Sequence, residues 1–462
     1  DKDFYIMHGD SDVDNGIYVL ANPLDIPDGV SLFGGYNNNW VKAGKTKLQR
    51  YNSLLKSAVI IKHDTSEMWF SGFDVRYQGN HSAIEVKGSG EEASGSLNIT
   101  NNIIFDYIQG NDNNYSVVVE DVNTLRFIDN FIDTAGVRDG LPGIAGTNGY
   151  NGNKAVLCCS GASGGSLGGN GGVGGSSGSV TDGGGSGTAG GGGGLRAVGG
   201  VGGGSSGPGG NGGDGKAAVH GQGGSWILSV DSGITSMVSN PSTPGERGQH
   251  GGGGGGGGGT DGGFASSGNT GGGGGEGGGG GNGATGGGNG FAVISLTLSK
   301  TPGAIIQGNV ITAGKGGNGG AAGRSSSAPF VGSLYGVGGA GLIAGGRTEG
   351  GSGGRGSYGG IGGAGAGGPS IAIFVGRGIS PQIIDNELTS DGGGNAGYVF
   401  QTMGNYLYQT TSTANALGGQ SYIIFDQDGN VTKPILDDNL FNTGVAAQSS
   451  NGTSVPPRHK NF

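Results

Sequence analysis

Short apolar runs recur along this chain, some alternating with polar residues and some solid, and none has the 3.6-residue spacing of an amphipathic helix. SAVII from Ser57, SAIEV from Ser82, SVVV from Ser116, SWIL from Ser225, FAVISL from Phe291, SIAIFV from Ser370 and SYIIF from Ser421 each open a cassette. A cassette closes on an apolar residue three places before an Asn. These pairs are Ile99 and Asn102, Phe127 and Asn130, Met237 and Asn240, Ile306 and Asn309, Ile383 and Asn386, and Leu436 and Asn439. In the first copy Trp69 leads to Gly72 in the Asn place.

The cassette is nearly fixed in length, while the gaps between cassettes are elastic. A fixed unit with variable insertions predicts stacked solenoid coils, with the insertions as loops on one edge. Gly72, Asn102 and Asn130 are 30 and then 28 residues apart, which sets the coil size. Leu at the fixed offsets of a leucine-rich repeat is missing. Asn tolerates left-handed backbone angles, and its amide bonds to its neighbours in a stack. Gly72, Asn102, Asn130, Asn240, Asn309, Asn386 and Asn439 are therefore expected to form an internal turn ladder.

These cassettes, together with PDGVSLFGGYNNNW at residues 27–40, resemble bacterial extracellular right-handed parallel β-helix repeat proteins. The resemblance covers most of the chain outside its glycine-rich stretches. It implies an all-β solenoid, a right-handed parallel β-helix, at the cell surface or outside the cell. It does not select a function, because that fold carries adhesins, tailspikes and polysaccharide-cleaving enzymes alike.

Composition adds a second component. Gly makes up 120 of 462 residues, without the strict G-X-Y period of collagen. The glycines concentrate in inserts at residues 160–224, 243–290 and 312–369, whose ends the solenoid would hold. A polyproline-II-type helix has three residues per turn and no internal hydrogen bonds, so bare glycine helices can bond side by side. The inserts are expected to form a polyglycine-II-type helix bundle on the β-helix edge; a disordered insert is the alternative. The expected division is residues 1–56 as opening coils, 57–159 as regular coils, 160–390 as coils interleaved with inserts, and 391–462 as the last coil, an aromatic excursion and a tail.

The formal net charge is −10 with no basic stripe, which argues against nucleic acid. No apolar run is long enough for a membrane-spanning helix. The start at Asp1 rather than Met suggests a processed or trimmed product. Cys158 and Cys159 are adjacent, so no disulfide framework is expected; they are a buried pair, a vicinal disulfide or an intermolecular bridge. Asp10, Asp12 and Asp14 alternate in HGDSDVDNG, a pattern that fits either a Ca²⁺ loop or an acidic turn. Asp129, Asp385 and Asp438 each precede a ladder Asn and are read as turn residues rather than as a glycosidic carboxyl pair. Tyr398, Phe400, Tyr406 and Tyr408 lie in a weakly charged excursion suited to protein or glycan contact, or to packing on the solenoid.

The expected function is a non-catalytic structural or adhesive extracellular protein that self-associates into a surface fibre, without a cofactor and with a surface glycan or protein as a further partner. The alternatives are a β-helix carbohydrate-active enzyme, which needs turnover on uronate polysaccharides, and an ice-binding protein, which wants regular Thr ladders that are missing.

Overall fold

A computed structural model describes residues 2–7, 17–37, 39–53, 56–79, 81–89, 95–107, 114–144, 211, 222–228, 237–240, 289–322, 343–344, 348–349, 362–398, 415–427, 433–449 and 454–460. Among these residues there is no helix. Three eight-stranded parallel sheets carry the fold. The first stacks Lys2–Met7, Val30–Tyr36, Met68–Ser71, Ser96–Thr100, Thr124–Ile128, Gly303–Gln307, Gln382–Ile384 and Ile435–Asp437. The second stacks Ile17–Val19, Thr46–Ser53, Phe73–Gly79, Ile103–Asp106, Phe131–Thr134, Val310–Ala313, Glu387–Ser390 and Leu440–Thr443. The third stacks Leu24–Ile26, Val59–His63, Ile84–Gly88, Asn114–Glu120, Val293–Ser299, Ser370–Val375, Ser421–Asp426 and Arg458–Lys460. The chain visits the sheets in rotation, so each coil contributes one strand to each: the molecule is an all-β parallel solenoid.

The core follows from the stacking. Inward residues of successive coils lie in columns, such as Phe70, Ile99, Phe127 and Ile306 in the first sheet, each at most 1% exposed. Early strands alternate, as in Val59–His63, whose Lys62 faces out. Later strands of the third sheet are buried at every position, as in Ser370–Val375 and Ser421–Asp426. Between Ser370 or Ser421 at the start and Asp426 at the end of the second, their runs are apolar on both faces, the signature of a parallel strand covered on both sides. Ile294, Ile371, Phe374, Tyr422 and Phe425 form a second apolar cluster beside the main core.

Three sequence expectations change. The cassette SWILSVDSGITSMVSN is not a coil: Ser225–Leu228 pairs antiparallel with Met237–Asn240, and this hairpin joins none of the three sheets. Asn240 thus lies opposite Ser225 and outside the ladder. Gly72 is one place out of register. Phe73, not Gly72, lies in line with Asn102, and Trp69 is in line with Asn98. Lastly, the expected inserts 160–224 and 243–290 belong to one stretch, residues 135–292, because the hairpin between them is not a coil. Like residues 314–369, 391–420 and 444–457, this stretch fills a gap between cassettes, running from a second-sheet strand to the following third-sheet strand.

Candidate functional site

Each coil has three corners with different chemistry. The first-to-second corner is a two-residue turn. Its leading residue has positive φ in every coil from Gly72 onward: Gly72 (85°), Asn101 (54°), Asp129 (53°), Gly308 (66°), Asp385 (54°) and Asp438 (45°). Gly72 is required for space as well, since a Cβ there would lie 2.4 Å from the Gly34 carbonyl oxygen. The second residue is the ladder Asn. Asn102 donates through its backbone N and its Nδ2 to Asn130 Oδ1, both at 3.0 Å. Asn130 does the same to Asn309 (2.8 and 3.1 Å), Asn309 to Asn386 (2.9 and 2.9 Å), and Asn386 to Asn439 (3.0 and 2.9 Å). Each Nδ2 also donates to a carbonyl of the coil before, as Asn309 does to Phe127 (2.8 Å). The left-handed backbone therefore belongs to the residue before the Asn, and the Asn supplies the amide. In the Asn place of the third coil Phe73 stacks on Phe70 instead, with ring centroids 4.5 Å apart. Asp129, Asp385 and Asp438 occupy the positive-φ place.

The second-to-third corner, where the inserts depart, is lined by buried hydroxyls. Ser116 Oγ lies 2.6 Å from Thr134 Oγ1, which donates to Ser295 Oγ at 2.7 Å. Ser370, Ser390 and Ser421 form a second chain at 2.9 and 2.7 Å. Asp106, fully buried, accepts from Ser116 Oγ at 3.4 Å, and its Oδ1 has no partner. Burial pushes this carboxyl well above the usual carboxylate range, and the Ser116 hydrogen bond offsets only part of that.

Beyond this corner the described ends of the inserts bond with a three-residue rhythm. The carbonyls of Lys315, Asn318 and Ala321 accept from the N–H groups of Val137, Gly140 and Gly143 (3.4, 2.7 and 2.8 Å). The N–H groups of Gly316, Gly319 and Ala322 donate to Gly392, Asn395 and Tyr398 (3.0, 2.7 and 3.0 Å). The third residue of each triplet bonds across to the returning chain: Gly317 and Gly320 accept from Gly368 and Gly365 (2.8 and 2.9 Å). Gly394 and Gly397 donate to the same returning chain, at Gly368 and Gly365 (2.9 and 2.8 Å). The outgoing segments run alongside one another, and the returning segment runs against them. Side chains are excluded both where outgoing and returning segments meet and where like segments stack. A Cβ on Gly316 would lie 2.0 Å from Gly368 O, one on Gly394 would lie 1.9 Å from Gly317 O, and one on Gly368 would lie 1.8 Å from Phe291 O.

A second polar ladder crosses these segments. Asn318 N donates to Asp139 Oδ1 (2.7 Å), Asn395 N to Asn318 Oδ1 (2.8 Å), and Gln448 N to Asn395 Oδ1 (2.9 Å). Each member stands nine places after a ladder Asn: Asn130, Asn309, Asn386 and Asn439 respectively. That constant offset was visible in the sequence and is the signal that would have found it.

The third-to-first corner carries a groove of about 500 Å³ lined by Asp121, Asn123, Lys300, Pro302, Arg377 and Ile379. Lys300 Nζ lies 3.3 Å from Asp121 Oδ1. On the outer face of the second sheet the Arg76 guanidinium is gripped by Asp74 (3.0 Å) and lies 5.5 Å from the centre of the Phe105 ring. Phe105 stacks on Tyr107 at 5.8 Å and meets Phe131 at 5.7 Å, and Tyr107 and Phe131 are partly exposed.

Of the other sequence candidates, Tyr398 is 60% exposed. Phe400, Tyr406 and Tyr408, the acidic run Asp10, Asp12 and Asp14, and Cys158 and Cys159 lie outside the described residues, as does the glycine run 251–259. Among the described residues, no three His, Cys, Asp or Glu side chains are grouped to hold a metal ion. No helix there is long and apolar enough to cross a membrane. No protein-family model, curated protein or solved structure matches this chain.

Proposed function

We propose that this protein is a non-catalytic, structural or adhesive extracellular solenoid that self-associates into a fibre, built as a right-handed β-helix with a polyglycine-II-type slab along one corner. The observation that carries this reading is the three-residue hydrogen-bond rhythm of the insert ends, in which each triplet bonds in three directions. Polyglycine-II packing has that period, because a three-residue turn with no internal hydrogen bonds points its polar groups at its neighbours. Right-handedness rests on the strong bias of parallel crossover connections. A rod stiffened along one edge suits display and mechanical linkage. The rings around Phe105 and the exposed Tyr398 offer contact surface for a glycan or protein. The extracellular location rests on the family resemblance alone.

Negative-stain imaging of the purified chain across a concentration series tests the fibre: rods that lengthen with concentration support it, and single particles of fixed length up to millimolar concentration overturn it. Sustained turnover of uronate polysaccharides, abolished by Asp substitution, would replace it with the enzymatic reading.

A further inference from the structure

The groove at the third-to-first corner spans three successive coils. Asp121 and Lys300 stand one place beyond the paired Glu120 and Ser299, and Lys300 and Arg377 stand two places beyond the paired Leu298 and Val375. Asp121, Lys300 and Arg377 are therefore in line, at the spacing of about 4.8 Å between neighbouring strands. Like charges in line at that spacing repel. The lining carries two cations and one carboxylate, one positive charge in excess on a chain of net charge −10. The Lys300–Asp121 pair, with side chains 67% and 27% exposed, is held weakly enough to open. Lys300 also breaks a local rule. Among the described residues, positive φ falls on Gly, Asn or Asp except at Trp40 and at Lys300 (48°). A lysine is strained there and a glycine is not. What lysine adds at that place is a charge beside the groove, and backbone strain of this kind gathers at binding sites.

We propose that this groove binds an acidic saccharide, taking a sugar-borne carboxylate or sulfate between Lys300 and Arg377. This rests on the adhesive reading and names its ligand. The volume of about 500 Å³ is in the range of small-ligand sites. The ammonium and the guanidinium donate charge-assisted hydrogen bonds to the anion, which also relieves their mutual repulsion. The rest of the lining selects a sugar over a bare anion. The Asn123 amide both donates and accepts, and the Asp121 carboxylate accepts, so both suit hydroxyl groups, whereas Asp121 repels an anion that has none. The exposed Pro302 adds an apolar wall for the face of a sugar ring. A long polyanion such as nucleic acid is opposed by the negative charge of the whole chain.

Isothermal titration calorimetry of the full chain tests it with four probes: a uronic-acid tetrasaccharide, a sulfated tetrasaccharide, a neutral tetrasaccharide and inorganic sulfate. At least one acidic tetrasaccharide is expected to bind, more weakly as salt rises, with the neutral one and inorganic sulfate weaker by about tenfold or more. Arg377→Gln and Lys300→Gly should each weaken that binding by about tenfold, and Asp121→Asn, which removes the competing carboxylate, should strengthen it. Lys300→Gly relieves the left-handed backbone, so its melting temperature should hold or rise while its affinity falls, which separates a ligand contact from a structural one. Failure of both acidic tetrasaccharides to bind, inorganic sulfate binding as tightly as either, or binding unmoved by Lys300→Gly and Arg377→Gln overturns the groove and leaves the fibre to its own imaging test. Turnover of the bound saccharide overturns the non-catalytic reading and leaves the groove standing.

Discussion

Adding one methyl group at Gly368 is the sharpest probe of the glycine layers. Gly368 has no positive φ, so alanine fits its backbone angles and the change tests packing alone. The new Cβ would lie 1.8 Å from Phe291 O, 2.4 Å from Phe291 C and 2.9 Å from Gly290 O, where real Cβ contacts stay beyond 3.0 Å. All three atoms are backbone, so the chains must part by more than about 1 Å, beyond what a close-packed interior yields cheaply. Three hydrogen bonds run through this crossing: Gly368 N to Gly317 O (2.8 Å), Gly394 N to Gly368 O (2.9 Å) and Gly317 N to Phe291 O (3.0 Å). Weakening them costs about 1 kcal/mol each, and more where a buried donor is left without an acceptor. Against this, Gly→Ala stiffens the unfolded chain and returns about 0.4–1 kcal/mol. The net expectation is a loss of roughly 2–4 kcal/mol. Gly378→Ala is the control: its φ is +74° with nothing within 4 Å, so only the left-handed penalty of about 1–2 kcal/mol applies. Urea denaturation with native-state hydrogen exchange at the amides of residues 314–322 and 391–398 reads both. A loose glycine loop predicts the opposite sign, so a Gly368→Ala protein as stable as wild type or more stable refutes the packed-layer argument.

Three further expectations follow from the same geometry. Asn309→Ala removes the donors to Phe127 O and Asn386 Oδ1 and the acceptor for Asn130, so denaturation should show a loss of about 3 kcal/mol or more, whereas Asn439→Ala at the end of the ladder should cost about 1 kcal/mol. Asp385→Gly relieves a non-glycine residue at φ 54° and should be neutral or stabilising by up to about 1 kcal/mol, while Asp385→Val should cost about 1–2 kcal/mol, both read by thermal melts. Asp106 has its folded pKa raised by burial, so its contribution is fully present below the ordinary aspartate value of 3.8 and is lost as pH rises from there through the folded value. Asp106→Asn should therefore be more stable than wild type at pH 7 and lose that advantage below about pH 4, and unfolding midpoints across pH 3.5–8 that run parallel for the two proteins would contradict it.

Much of the solenoid was legible because its period is written in single residues. An Asn that must meet the next Asn in the stack cannot drift, so Asn102, Asn130, Asn309, Asn386 and Asn439 mark their coils across inserts of any length. The fourth cassette deceived because an apolar run and a closing Met237–Asn240 are equally compatible with a hairpin, where partner direction and not composition decides. Gly72 deceived because glycine suits a positive-φ place as well as asparagine suits the next, and Phe73 fills the amide's site with a ring. The second ladder was hidden by its surroundings. Asn318 within GGNGG reads as low complexity until its offset from Asn309 is set beside that of Asn395 from Asn386.

The placement of the inserts explains why their lengths vary so widely. All four leave after a second-sheet strand and return to the third-sheet strand of the same coil, so lengthening one leaves the register of every sheet unchanged. Loop-closure entropy rises only slowly with length. What limits an ordinary long insert is the backbone it leaves without partners. In the described segments that limit is lifted three residues at a time, since each added triplet brings one bond to the coil before, one to the coil after and one to the returning chain, as Lys315–Gly316–Gly317 and Asn318–Gly319–Gly320 both do. The positions that cross the returning chain must be glycine, while the position between layers tolerates Lys315, Asn318 or Ala321. Removing or adding a whole triplet in residues 314–322 should therefore be tolerated far better than removing or adding one residue, which would put a side chain where Gly317 and Gly320 now meet Gly368 and Gly365. Melting temperatures of a three-residue and a one-residue deletion, compared in otherwise identical chains, decide the point: equal losses would mean that the period plays no part in holding the layers together.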